Sequence, residues 1–338
     1  MANECRVMTY RVITRGGAKM AVARLLADIG GTNVRFAIQR GLEPAREVVV
    51  LATEDYGSLH QAALSYLVRI GRPADLKLGA LAVASPITGD LVSMTNLPWQ
   101  FSTEEVRRAL GLDTLLVVND FVAVAHGVPY LPAADLIQIG GEQPVPLEQK
   151  ALIGPGTGLG TSGLVPSKDG WIVIEAEGGH VTMAPANDRE SAILGRLRPV
   201  YGHVSAERVV SGMGLVNLYT AIAGLEGRPV ENLEPPDIAR KAADGSCAVC
   251  KETIDTFCAM LGTVAANLVL TLGARGGLYI GGGIIPKLGE VFFQSGFRRR
   301  FEDKGRFKSY LAPVPAYLIV STYPAFIGLQ HILDRIET

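Results

Sequence analysis

Only six residues, Asp28-Ile29-Gly30-Gly31-Thr32-Asn33, separate the apolar run Leu25-Leu26-Ala27 from the apolar run Val34-Arg35-Phe36-Ala37-Ile38. Two short apolar runs around a glycine pair read as two strands joined by a tight turn, so the chain must open with a β-hairpin. That constraint is severe. The P-loop and the dinucleotide fingerprint both run from a strand into a helix, and a turn that closes a hairpin belongs to neither. The glycines carry no Cβ to hold a ligand off the backbone, and Thr32 adds a hydroxyl donor. The turn has the make-up of a phosphate cradle set between strands.

Periodicity extends this opening into an α/β unit. Residues 47–51, Glu-Val-Val-Val-Leu, read as a third strand. Ser58 caps a helix whose apolar positions Leu59, Ala62, Ala63, Tyr66, Leu67 and Ile70 follow the helical period. Residues 78–83 form a largely apolar strand of the buried parallel kind. Ser102 and Glu105 make a capping box for a short helix, and Leu115-Leu116-Val117-Val118 is a fifth strand. The pattern then starts again. Ala151-Leu152-Ile153 runs into a second glycine turn, Gly154-Pro155-Gly156-Thr157-Gly158-Leu159-Gly160, followed by strands over 162–165 and 171–175. Helices are expected over 191–197, 206–210, 215–223 and 247–272, and a strand, Leu278-Tyr279-Ile280, ends in Gly281-Gly282-Gly283. The second half is the first unit with helices inserted, which predicts a duplicated α/β fold of two domains flanking a cleft, one glycine turn from each pointing inward. A last helix carrying Phe326, Leu329, Ile332 and Leu333 is expected to pack back on the first domain.

Composition narrows the partners. A chain of 338 residues can bury two cores, and 48% hydrophobic with 19% charged residues is globular. A net charge of -1 sets up no field to draw the protein to nucleic acid or an anionic membrane, so an anionic ligand must be held by local geometry. The one basic run of note, Arg298-Arg299-Arg300, reads as a solvated helix face. Four cysteines do not suggest a disulfide framework, and Cys247 and Cys250 have metal-ligand spacing without a second pair or a nearby His. Thiols in a reducing cytoplasm are the default. Residues 1–20 carry Arg6, Arg11, Arg15 and Lys19 against the single acid Glu4 and read as a disordered extension, or as sequence ahead of a true start at Met20. The apolar stretch 259–272 is interrupted by Gly262, Thr263, Asn267 and Thr271 and falls short of the roughly 20 residues of a membrane span, so it reads as a buried helix.

Three sets of residues carry chemistry. The glycine turns at Gly30-Gly31, 154–160 and 281–283 each follow an apolar strand directly, which points to nucleotide phosphates and an adenosine platform. No Walker lysine follows any of them, so backbone N–H groups, Thr32, Thr157 and a metal would neutralise the charge. Asp28 is suited to hold Mg²⁺ directly or through water, or to cap its own turn. Asn119-Asp120 ends a strand and starts a helix, the edge at which open α/β sheets bind ligands. Either residue can cap that helix; in a phosphoryl-transfer site Asp120 is the carboxylate best placed to accept the proton of the attacking hydroxyl. The third set is Glu177-Gly178-Gly179-His180 with Glu207. A carboxylate can accept from two vicinal hydroxyls at once, but one His and two Glu could equally ligate a metal or lie in a solvated loop. A Ser/His/Asp hydrolase is disfavoured, because no Gly-x-Ser-x-Gly elbow is evident.

Taken in order, residues 26–33 (Leu-Ala-Asp-Ile-Gly-Gly-Thr-Asn), 118–121 (Val-Asn-Asp-Phe), 154–160, 177–181 (Glu-Gly-Gly-His-Val), 203–209 (His-Val-Ser-Ala-Glu-Arg-Val) and 301–307 (Phe-Glu-Asp-Lys-Gly-Arg-Phe) resemble the bacterial glucokinases. The resemblance runs from about Leu25 to the C-terminal helix. Single motifs are shared with actin, heat-shock ATPases and other sugar kinases, whereas the ordered set is specific.

The resemblance implies the ribonuclease-H-like, actin and hexokinase fold: a smaller domain of residues 21–130 plus 321–338, a larger one of 131–320 with helical insertions, and closure on sugar. It implies phosphorylation of D-glucose at the 6-hydroxyl by MgATP. Asp120 matches the base, and Asn119, Glu177, His180 and Glu207 match sugar-hydroxyl ligands, with Asn96 a further candidate. Ala27, Asp28, Ile29, Gly30, Gly31 and Thr32, with Gly156, Thr157 and Gly158, match contacts to ATP phosphates, and Asp28 holds Mg²⁺ through water. Family members are cytoplasmic and often dimeric. No cysteine lies just after His180, so the zinc loop of related N-acetyl-sugar kinases and repressors is not expected, nor is an N-terminal DNA-binding motif. The alternatives are a kinase for another hexose, a non-catalytic sugar-binding regulator on the same scaffold, and an actin-like filament protein.

Overall fold

Strands β1 (Ala23–Ile29) and β2 (Asn33–Arg40) pair antiparallel around the glycine turn, setting Asp28 opposite Arg35 and Ile29 opposite Val34. The computed structural model describes residues 22–95 and 97–337; the 1–20 extension and Asn96 lie outside the described residues. β3 (Arg46–Ala52) pairs with β2, and β4 (Leu78–Val83) runs parallel to β1 on its other side. β5 (Leu91–Ser93) and β6 (Gln100–Ser102) form a small separate hairpin, and β7 (Thr114–Asn119) lies parallel to β4. The sheet order is β3-β2-β1-β4-β7.

Strand alternation sends the two faces of this sheet to different partners. Leu25, Ala27 and Ile29 face the helix Leu59–Ile70 through Leu59, Ala62, Ala63, Tyr66 and Leu67. That helix starts where Ser58 Oγ accepts from Gln61 N–H and ends at Gly71 in the left-handed region. Leu26, Ala37, Ala80 and Ala82 line the opposite face with mostly small side chains. They receive the helices Asp120–Gly127 and Pro324–Glu337 through Ala123, Phe326, Leu329 and Leu333. Those two helices meet at glycines: a Cβ on Gly127 would stand 2.9 Å from Pro324 O, and one on Gly328 would overlap Ala123 O.

The second sheet contains β8 (Leu136–Gln138), β9 (Lys150–Pro155), β10 (Leu159–Ser167), β11 (Gly170–Ala176), β12 (Leu278–Ile280) and β13 (Ala316–Ile319). Its order, β11-β10-β9-β12-β13-β8, repeats that of the first sheet and adds one antiparallel edge strand. Between β11 and β12 come the helices Asp188–Tyr201, Gly212–Leu225, Pro235–Ala243 and Ala248–Leu272. The last is long and apolar enough to cross a bilayer by length and composition, and it buries Phe257, Met260, Leu261 and Val264 in the core over β9 and β12. By packing, the described residues form two compact units: unit 1 runs to Leu131 and resumes at Tyr323, and unit 2 is Pro132–Thr322.

Two sequence expectations need correction. Residues 206–210 are a turn, not a helix. Ala206 and Glu207 donate their N–H groups to Val181 O and Gly179 O, and Ser211 already caps the following helix by accepting from Gly214 N–H. The arginine triplet is not a uniformly solvated face either. Arg298 donates to Val314 O and Ala312 O and pairs with Glu302, while Arg300 pairs with Glu190 at 2.7 Å; Arg299 alone of the three is exposed.

Gly328→Ala is expected to destabilise the protein by about 3 kcal/mol, because the added methyl meets backbone that has nowhere to go. Gly195→Ala, on the helix Asp188–Tyr201 with open space at its Cβ position, is expected to stabilise by about 0.5–1 kcal/mol. Equilibrium denaturation of the two variants checks the contrast.

Candidate active site

Unit 1 gathers Asp28, the turn after it, and Asn119-Asp120. Residues at even positions of β1 face the helix Asp120–Gly127, so Asp28 and the first residue of that helix lie on one side of the sheet. Arg35 Nη1 donates to Asp28 Oδ2 at 3.1 Å, as their opposed register allows. Burial raises the Asp28 carboxyl above its ordinary range, with Arg35 working against that shift.

Asn119 is the cap of the helix. Its Oδ1 accepts from Phe121 N–H at 2.9 Å and Val122 N–H at 3.2 Å, and its Nδ2 donates to Ser85 O at 3.4 Å. Asp120, the first helical residue, accepts from Phe121 N–H at 2.8 Å. Burial, then the negative charge of Asp28, pushes the Asp120 carboxyl up to about 6. A carboxylate of that pKa is ionised at neutral pH and is a stronger base than an ordinary aspartate.

Within 27–32 the structure separates core from surface. Ala27 and Ile29 are fully buried in the sheet, so their side chains turn away from any ligand, whereas Thr32 is exposed. Gly30 N–H donates to Asn33 O at 3.0 Å and closes the turn. Gly30 has no positive φ, and a Cβ there would make only ordinary contact with Asn33 O at 3.5 Å. Nothing in the fold demands glycine at that position. What its missing side chain provides is room for something outside the chain.

Unit 2 repeats the device. Residues 156–158 join β9 to β10, and Gly156 N–H donates to Gly158 O at 2.8 Å. A Cβ on Gly156 would meet no atom within 4 Å, and Thr157 is exposed. The third glycine turn lies against this one: Gly282, at φ 80°, leaves no room for a Cβ beside Pro155 O.

Glu177, His180 and Glu207 come together next to it. The single 3₁₀ turn Gly178–His180 follows β11 and is held where Gly178 N–H donates to Thr161 Oγ1 at 2.8 Å. His180 lies between two carboxylates, with Nε2 3.9 Å from Glu177 Oε2 and Nδ1 4.0 Å from Glu207 Oε1. Glu177 and His180 are exposed and Glu207 is half-buried, its Oε2 accepting from Leu159 N–H at 2.8 Å. Acceptors and a donor of this kind, open to solvent, suit a polyol. Among the described residues no cluster of three His, Cys, Asp or Glu side chains is arranged to hold a metal. Cys247 instead caps its helix, its Sγ accepting from Cys250 N–H.

Sequence reasoning did not single out Arg35 or Thr161. Arg35 was within reach of a simple count, since residues equidistant from the centre of a hairpin turn face each other. Thr161 carries no such signal, because its role depends on where the chain returns after β11.

A family model described as glucokinase matches residues 25–336. A glucokinase of Chromobacterium violaceum is 48% identical over 95% of this chain and 92% of its own length.

The chain belongs to the glucokinase family.

A glucokinase crystal structure from an Antarctic psychrotroph superposes with a TM-score of 0.83 at 36% identity, covering 92% of this chain and 98% of that one. At 18% identity, a ROK family glucokinase from Streptomyces griseus, solved with glucose and AMPPNP, shares the fold with a TM-score of 0.62, covering 92% of this chain and 98% of that one. The strand order β3-β2-β1-β4-β7 and its repeat are thus the architecture of the glucokinase family in this chain.

The raised Asp120 carboxyl makes a stability prediction. Its ordinary value is 3.8 and its folded value about 6, so ionisation opposes folding increasingly as pH rises from 3.8 to about 6 and fully above that. Asp120→Asn keeps an acceptor for Phe121 N–H and carries no charge. Its melting temperature is expected to exceed wild type by a few degrees at pH 7.5, and the gain should vanish near pH 4; thermal melts across that range check it.

Proposed function

We propose that this chain phosphorylates D-glucose at its 6-hydroxyl with ATP, yielding glucose 6-phosphate and ADP, and that Asp120 is the general base. The observation that carries this reading is the Asp120 carboxylate at the carboxyl edge of a parallel strand, beside Asp28, in a glucokinase-family chain; burial and Asp28 push that carboxyl up to about 6. Asp120 takes the proton of the 6-hydroxyl as that oxygen attacks the γ-phosphorus. The new bond joins the sugar oxygen to phosphorus, and the bond from phosphorus to the β,γ-bridging oxygen breaks as ADP leaves.

The other residues bind and orient. Glu177, His180 and Glu207 hold sugar hydroxyls, and a site built to satisfy hydroxyls discriminates strongly against ligands that lack them. Asn119 serves chiefly to fix the helix that carries Asp120, since its Oδ1 is already engaged. Backbone N–H groups of Gly31 and Thr32, with Thr157, hold phosphate oxygens beside the glycines that leave room for them.

Asp28 fits a magnesium ion in kind: a carboxylate at the end of β1, beside the glycine turn, with one oxygen held by Arg35. Mg²⁺ is bound by one or two carboxylates, waters and substrate phosphates rather than by a full protein cage, and it would neutralise charge developing on the transferred group. A cytoplasmic homodimer is part of the same reading, and light scattering tests the oligomeric state.

A coupled assay tests the reaction. Asp120→Asn is expected to lower kcat by about 10³-fold with little change in glucose binding, the range of a lost general base. In wild type, kcat/KM for glucose should rise about tenfold per pH unit up to about 6 and level off above it, since the base works only when ionised. Undiminished turnover in Asp120→Asn would remove Asp120 from its role, and a higher kcat/KM for mannose, fructose or glucosamine than for glucose would reassign the substrate.

A further inference from the structure

Residues 205–212 touch both functional turns of unit 2. Ser205 bridges to Thr182, Ala206 N–H donates to Val181 O at 2.9 Å, and Glu207 N–H donates to Gly179 O at 2.9 Å, fastening this segment to the turn that presents Glu177 and His180. The same segment is fastened to the 156–158 turn, because Gly212 N–H donates to Gly156 O at 2.9 Å and Glu207 Oε2 accepts from Leu159 N–H at 2.8 Å. Ser211 locks it between these anchors. Its buried hydroxyl donates to Glu207 O at 2.7 Å and accepts from Gly214 N–H at 3.0 Å.

The Glu207 carboxylate is consequently divided. Oε2 ends on the phosphate turn, while Oε1 lies 4.0 Å from His180 Nδ1 among the hydroxyl-binding groups. Gly158 stands so close that a Cβ there would overlap Oε2. The protein atom in conflict is the tip of a flexible side chain, so the fold can yield, but only by moving the carboxylate.

Resting on the glucokinase reading, we infer that residues 205–212 form a strap that gives the phosphate turn and the hydroxyl-binding turn one shared geometry, so that nucleotide and sugar tighten each other's binding inside unit 2, with Gly158 and Ser211 as positioning residues. Linkage makes the effect reciprocal: whatever factor the nucleotide contributes to sugar affinity, sugar returns to the nucleotide.

Calorimetric titration of the full chain with glucose, with and without Mg²⁺ and a non-hydrolysable ATP analogue, tests the strap. For wild type the analogue is expected to tighten glucose binding about fivefold or more. Gly158→Ala, a methyl added to the phosphate turn, should weaken binding of glucose alone about tenfold, whereas Gly156→Ala should weaken the nucleotide and leave glucose alone within about twofold. Ser211→Ala should bring the coupling factor close to one, with Ser211→Thr restoring it. Ser102→Ala, which removes a helix cap in unit 1, controls for general destabilisation and should keep wild-type coupling. Wild-type glucose affinity in Gly158→Ala, or wild-type coupling in Ser211→Ala, overturns the strap. A wild type that binds and phosphorylates glucose but shows uncoupled ligands overturns the strap alone, and one that binds no glucose overturns the functional reading and the strap with it.

Discussion

β1 has a neighbour on each side, antiparallel β2 and parallel β4, and buried side chains on both faces as far as Ala27. Its backbone is committed along its length, so the first place where the chain can meet a ligand is the turn at its carboxyl end. β9 is placed in the same way, between β10 and β12. The positions of both glycine turns follow from that constraint, as do the parallel strands that end beside them, and β7 delivers Asn119 and Asp120 at its own carboxyl end.

The sequence made the central strands legible because buried parallel strands are apolar without interruption and their ends are marked by glycine or by an Asn-Asp cap. The duplicated order was readable for the same reason. The short strands at the far end of the second sheet were not: β13 and the edge strand β8 have four and three residues, too few for a periodic signal, and they are strands only because neighbours pair with them. Residues 206–210 look helical by composition, yet their first amides are drawn to the 178–181 turn by contacts no local pattern announces. For the candidate site, residue types and strand ends pointed to Asp28, Asp120 and the Glu177, His180 and Glu207 set, and the structure brings Asp28 near Asp120 and His180 between Glu177 and Glu207. The division of labour between Asn119 as cap and Asp120 as first helical residue needed the helix start to be seen.

Asp120 shows how far the local environment departs from what favours folding alone. A helix N-terminus welcomes a negative charge, but burial and Asp28 oppose it more strongly, so the net shift is upward. Arg35 relieves Asp28 in part, lowering a carboxyl that burial raises. Sites where local and global preferences disagree in this manner are where chemistry is to be sought.

The close packing of the helices Asp120–Gly127 and Pro324–Glu337 bears on how the molecule is assembled during synthesis. Unit 2 is one uninterrupted stretch, and all of it leaves the ribosome before the helix Pro324–Glu337 appears. The alanine-lined face of the first sheet has Asp120–Gly127 against it from the start but must wait for its second helix until Pro132–Thr322 has been translated. Domains usually fold in the order in which they emerge. Here the unit that begins first is completed after the other, and the platform beneath Asp120 becomes native only once unit 2 has been made.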